Sequence, residues 1–188
     1  MRLPPILPET LNAELRQVHD GVASLVSEKQ NRIAVLNEQG ALIGPFPAML
    51  HFPQFGVPAL LLHRALSAEA RLPKTIREVA ILTVGAAFGA RYEIYAHEIT
   101  AAEAGLSRSQ IATLAAGGRP LDLNEHEAIA YEVSHALVSG HILQASTYAR
   151  VTDLLGPEGV GELAFLIGGY SLIAMILNCF DVPVPPHT

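Results

Sequence analysis

Twelve consecutive residues, Val79 to Ala90, read Val-Ala-Ile-Leu-Thr-Val-Gly-Ala-Ala-Phe-Gly-Ala and carry no charge. A helix of that composition has no polar face to turn toward water, so other elements must cover it on every side. Elsewhere apolar residues recur at helical spacing, and no segment alternates with a period of two between hairpin turns. The pattern predicts an all-α fold of about seven helices. At 188 residues, 50% apolar and 16% charged, the chain is long enough to bury a core as one domain, 1–188.

Turn chemistry divides that domain. The spacing of Leu11, Leu15, Val18, Val22 and Leu25 predicts an N-terminal helix from about Pro8 to Lys29, within a segment 1–36. Residues 37–58 hold three glycines and four prolines, which favour turns and short helical pieces in an apolar connector. The helical core, 59–182, begins with a helix carrying Leu60 to Leu66, after which Pro73 suits the first turn of the central helix. Gly85 and Gly89 permit close backbone approach there. Ser107 with Gln110, and Asn124 with Glu127, are capping-box pairs that open two further helices, closed by Gly117-Gly118 and by Gly140. A helix over about Gln144 to Leu155 is separated by Gly156-Pro157 from a last, apolar one.

Charge and cysteine content exclude several functions. Twelve Lys and Arg against 18 Asp and Glu leave a net charge of −6, unfavourable for nucleic acid or an anionic lipid surface. Cys179 is the one cysteine, so an internal disulfide, a dithiol motif and a cysteine-rich zinc site are all excluded. The N-terminus has no apolar run of signal-peptide length, and the longest apolar stretch, Leu163 to Leu177, has 15 residues, short of the roughly 20 that span a bilayer. A cytoplasmic protein with no membrane partner is expected.

The chemistry concentrates between Arg77 and Glu98. Glu93 and His97 are four apart, on one helix face, where a carboxylate would orient and charge an imidazole. Their plain alternative is an exposed surface pair. Glu78 lies 19 positions before His97, about 28 Å away on an unbroken helix. Only a bend brings them together, and Phe88-Gly89-Ala90-Arg91 is the place for it. Without that bend Glu78 would serve Arg77, Lys74 or a neighbouring helix end.

The order of residues in this region also carries a resemblance. Leu72-Pro-Lys-Thr-Ile-Arg-Glu-Val-Ala-Ile-Leu82, Arg91-Tyr-Glu-Ile-Tyr-Ala-His97 and Ala102-Glu-Ala-Gly-Leu-Ser107 with Ile111 together resemble the carboxymuconolactone decarboxylase family, which includes alkylhydroperoxidase D. The similarity covers roughly residues 40–180. The resemblance implies an alkylhydroperoxidase D-like helical bundle that forms a homo-oligomer, trimer or hexamer, a state that the apolar Leu163–Leu177 surface also favours. The peroxidase branch has two cysteines between its glutamate and its histidine; here Ala90 and Glu93 stand at those places, so dithiol peroxidase chemistry is disfavoured. The decarboxylase branch is similar instead, and implies a cofactor-free, metal-free decarboxylase or isomerase of a carboxylated lactone or related small enolisable acid.

Such a reaction needs a donor near the developing enolate oxygen and an acid near the carbon that is protonated. The expected roles are His97 as proton donor, Glu93 orienting it, and Glu78 as a supporting partner or relay. Phe46, Phe52 and Phe55 are candidates for an apolar wall, His51 and Tyr92 for further pocket contacts, and Arg77 and Arg91 for holding a substrate carboxylate. His51 has an alternative as a hydrogen-bonded structural histidine, and Arg91 as a solvated first-turn arginine. Neither His97-Glu98 nor His126-Glu127 completes a zinc motif, and His135 and His141 do not share a helix face. His19, His63, His126 and His187 read as ordinary, and Cys179 as lying in an apolar setting. A different class of function stays open: a non-catalytic ligand binder or scaffold, distinguished by whether His97 and Glu93 line an apolar cavity or face solvent.

Overall fold

The uncharged run becomes the central helix, α4 (Lys74–Phe88), in a computed structural model that describes residues 1–27 and 33–185. Seven other α-helices are described: α1 (Ala13–Ser27), α2 (Phe46–His51), α3 (Pro53–Ala68), α5 (Arg91–Ala104), α6 (Arg108–Ala115), α7 (Glu125–Val138) and α8 (Ala145–Cys179). Among the described residues the only β-type pairing is one isolated bridge, Leu36 with Leu42. Helices α5, α6, α7 and α8 all pack on α4, and Val79, Ala80, Leu82 and Val84 are sealed from solvent. Burying a leucine in this way stabilises by roughly 2 kcal/mol relative to exposure.

Most boundaries follow the local chemistry. Both capping boxes form, Ser107 with Gln110 and Asn124 with Glu127, each side chain bonding the other residue's backbone N–H. Gly89 ends α4 in the left-handed region (φ 61°), with its N–H bonded to Ala86 and that of Ala90 bonded to Gly85. This 6→1 and 5→2 pair is a Schellman stop, which glycine makes without steric cost. It reverses the chain, and α5 returns alongside α4.

Some boundaries differ from expectation. The N-terminal helix starts at Ala13 because Pro8–Thr10 forms a short 3-10 turn and Asn12 caps the N–H of Leu15 at 2.9 Å. Its expected end at Lys29 lies outside the described residues, as does His187. Within the 37–58 connector, α3 already begins at Pro53 and runs through Pro58, whose missing N–H forfeits one bond on an exposed side. Pro73 stands just before α4 rather than inside its first turn. The two C-terminal helices follow one path, broken at Gly156 (φ 71°, ψ 166°). Helix α8 is long and apolar enough to cross a membrane by length and composition alone, which the 15-residue count did not anticipate. One of its faces is occupied by α3, α4, α5 and α7, as in the core helix of a bundle.

Candidate active site

The reversal at Gly89 carries out the expected closure. His97, in the middle of α5, meets Glu78, in the first half of α4, at 2.8 Å between Nδ1 and Oε2. Thr100, one turn beyond His97, donates its hydroxyl to the same carboxylate oxygen at 2.8 Å. Burial pushes the Glu78 carboxyl up, and the opposing charge of His97 with the hydrogen bonds from His97 and Thr100 holds it below the usual range. With Nδ1–H committed to Glu78, Nε2 is the nitrogen left for chemistry. His97 also packs edge-on against Tyr170 of α8, with ring centroids 4.9 Å apart.

Glu93 behaves differently from its expected role. It is 2% exposed, and neither carboxyl oxygen has a hydrogen-bond partner among the described residues. Although it stands four residues before His97, it does not hold the imidazole. It lies against Gly85, where the absence of a side chain leaves room: an added Cβ there would sit 3.4 Å from Glu93 Oε1. Desolvation with no compensating charge pushes this carboxyl up to about 9, so at neutral pH Glu93 is a carboxylic acid with a proton to donate. The two glutamates have therefore exchanged their anticipated parts.

His97 and Glu93 line a cavity of about 200 Å³ whose apolar wall comes from Phe46, Met49, Leu60, Ile173 and Leu177. Tyr92 lines it as well and anchors its hydroxyl on the Ala34 carbonyl at 3.1 Å. Burial raises the hydroxyls of both Tyr92 and Tyr170, which stay protonated. Three participants were not singled out from sequence: Thr100, Tyr170 and His63. His63 reaches the cavity from α3, donates to the Gly169 carbonyl at 3.2 Å and meets Tyr170 edge-on at 5.0 Å. Desolvation lowers its pKa, favouring a neutral imidazole. Only Thr100 had a sequence signal, its i+3 spacing from His97; the other two arrive by long-range packing.

Several expected contacts are made elsewhere. His51 is exposed and bonds the Pro4 carbonyl at 3.0 Å. Phe52 stacks on Phe180 with centroids 6.0 Å apart, and Phe55 is 73% exposed. The short α2 turns Phe46 inward, but α3 begins too soon after it for the next two phenylalanines to follow. Arg77 donates to the Leu66 carbonyl at 2.9 Å and faces Glu162, while Arg91 pairs with Asp181 at 3.1 Å on the surface. Neither arginine lines the cavity. Cys179 is exposed at the end of α8 rather than embedded in apolar surroundings. Among the described residues no group of three His, Cys, Asp or Glu side chains converges as metal ligands would.

The chemistry available here is proton transfer. An imidazole oriented by a carboxylate faces a cavity that also holds an uncompensated carboxylic acid, in largely apolar surroundings that strengthen each hydrogen bond. No family model and no curated protein matches the chain. Solved structures of the debrominase Bmp8 do. The apo form superposes with a TM-score of 0.74 at 16% identity, covering 98% of this chain and 92% of that one. A cysteine-to-alanine variant in complex with 2,3,4-tribromopyrrole also gives 0.74, at 14% identity, with coverage of 99% and 92%. At this identity the likeness speaks to architecture, and the chain has the all-helical, alkylhydroperoxidase D-like fold.

Proposed function

We propose that this protein is a cofactor-free acid–base enzyme that forms and protonates an enolate on a small ring-sized carbonyl compound, as a lactone isomerase or decarboxylase does. One observation carries the reading. His97, held through Nδ1 by Glu78, shares an apolar cavity with the neutral, unpartnered Glu93. Leaving a buried carboxyl without a partner costs several kcal/mol, an arrangement a scaffold has no use for. A cavity of about 200 Å³ suits one five- or six-membered ring, and the tribromopyrrole in the Bmp8 complex is a single five-membered ring.

In isomerisation, Nε2 of neutral His97 takes a proton from the carbon beside the carbonyl. The C–H electron pair moves into the carbonyl, and the oxygen becomes an enolate that accepts a hydrogen bond from Glu93. The imidazolium then returns the proton to the far carbon of the conjugated system. In decarboxylation, the breaking C–CO₂⁻ bond supplies the same electron pair, CO₂ leaves, and imidazolium His97 protonates the carbon. Glu93 lines the cavity already protonated, so it supplies a hydrogen-bond donor to the developing charge without first taking up a proton. A substrate carboxylate meets no arginine in this cavity, which favours a substrate whose reacting ring is uncharged.

The test is deuterium incorporation at the carbon next to the carbonyl, followed by proton NMR for butenolides and β-keto lactones in D₂O, with CO₂ release measured for their carboxylated forms. Wild type should accelerate exchange, and His97→Ala should slow it by about 10²–10⁴-fold. Equal rates in the two proteins refute the catalytic role of His97; binding of these rings without exchange would make the protein a ligand carrier.

A homo-oligomer belongs to the same proposal. Phe165, Gly168, Leu172 and Met175 form a stripe at 3-4-3 spacing on α8, and all four are exposed. Phe165 alone is 68% accessible. A seam of this period suits a second helix, here a second copy of the chain.

A further inference from the structure

Part of the lining of the proposed catalytic cavity also borders a second space. Phe46, Leu60 and His63 also line a groove of about 400 Å³ between α1 and α3. Val18 and Val22 of α1 face Val57 and Leu61 of α3 across this gap, and Leu61 is 60% exposed. Two apolar helix faces held apart forfeit the contact energy that closing the gap would return. His19 ties α1 to the loop before α2: its Nε2 donates to the Gly40 carbonyl at 2.9 Å.

The far end of the groove is polar. Gln17, Arg64 and Ser67 line it, and Arg64 has no hydrogen bond or ion pair among the described residues. Along α3 the order is Val57, Leu60, Leu61, Arg64, Ser67, about 15 Å of helix from the apolar end to the polar one. Ring-sized space and aliphatic space therefore adjoin at Leu60 and His63, midway along this stretch of α3, with the guanidinium of Arg64 next in sequence. This is a different base from Arg77 and Arg91, which are both engaged elsewhere.

We propose that the α1–α3 groove is a second subsite continuous with the catalytic cavity, and that it takes an aliphatic arm of the substrate ending in a carboxylate held by Arg64. The inference rests on the ring-binding reading of the inner cavity and names its substrate class: an amphiphilic, arm-bearing enolisable ring. Charge complementarity selects an acid at the end of the arm, because a guanidinium recognises a carboxylate through paired N–H donors.

Calorimetric titration of the whole protein with butenolides bearing methyl, butyl and octyl arms tests the groove. A further pair, the octyl compound with a terminal carboxylate and its methyl ester, tests Arg64. Affinity should rise about threefold per methylene through the series, and the acid should bind about fivefold more tightly than the ester at low salt. Leu61→Trp, a substitution at an exposed position, should erase the gain for octyl while leaving the methyl compound unchanged. Val57→Phe narrows the same groove from the next turn and should do likewise. Arg64→Gln should abolish only the preference for acid over ester. A flat series, or an acid preference that survives Arg64→Gln, overturns the proposal. Deuterium exchange on the methyl compound separates the two readings: exchange with a flat series removes the arm subsite alone, and a graded series without exchange removes the catalytic reading alone.

Discussion

Glu93 and Glu78 sit on neighbouring turns of packed helices, yet their surroundings drive them in opposite directions. Burial raises Glu93 from 4.5 to about 9. The native state therefore binds a proton that the unfolded chain has lost, and stability from this group is full below pH 4.5 and drains away as pH rises toward 9. Glu78, held low by His97 and Thr100 after the opposing effect of burial, contributes stability above pH 4.5 that is lost as pH falls through its folded value. Glu93→Gln keeps the shape and removes the titrating proton. It should raise stability at pH 7 by about 3 kcal/mol and flatten the decline between pH 5 and 9, measured by urea unfolding; a decline as steep as wild type contradicts a neutral buried Glu93. The His97–Glu78 meeting was legible from Gly89 and the residue count. The fate of Glu93 was not, because i,i+4 spacing places two side chains on one face without saying which of them the neighbouring helix will meet.

At the scale of elements, the site depends on one reversal. Gly89 has φ 61° and nothing within 4 Å of the place a Cβ would occupy, so its requirement is backbone conformation rather than space. Gly89→Ala should cost about 1–2 kcal/mol with no steric clash, seen as a lowered denaturation midpoint with an unchanged slope. A neutral result would mean the turn does not need the left-handed conformation. Gly85 differs: a Cβ there would press on Ile94 at 3.2 Å, so its role is the close approach of α5 that the sequence suggested for both glycines. Capping boxes and the uncharged run marked α4, α6 and α7 because these signals are local. Helix α3 was only half visible, since prolines at 53 and 58 read as breakers although one opens the first turn and the other sits on an exposed face. His63 and Arg64 lie in the half that was visible, but which spaces they line depends on the elements packed beside that helix, which no local signal gives.

At the scale of the molecule, α8 is both core and surface. Its inward face buries Leu163, Leu166, Ile167, Ile173 and Ala174, while Phe165, Leu172 and Met175 stay exposed. Paired Phe165→Glu and Leu172→Glu substitutions should convert the proposed oligomer to a monomer in sedimentation velocity, with helix content retained; an unchanged sedimentation coefficient would place the interface elsewhere. The proposed proton-transfer chemistry rests on a carboxylic acid that stays neutral in the same cavity as a carboxylate-held imidazole. Carbon-13 NMR of glutamate-labelled protein, with Glu93 assigned by its loss in Glu93→Gln, reads that state directly: the Glu93 carboxyl should titrate near pH 9, and a midpoint in the ordinary glutamate range, about 4.3, would contradict it.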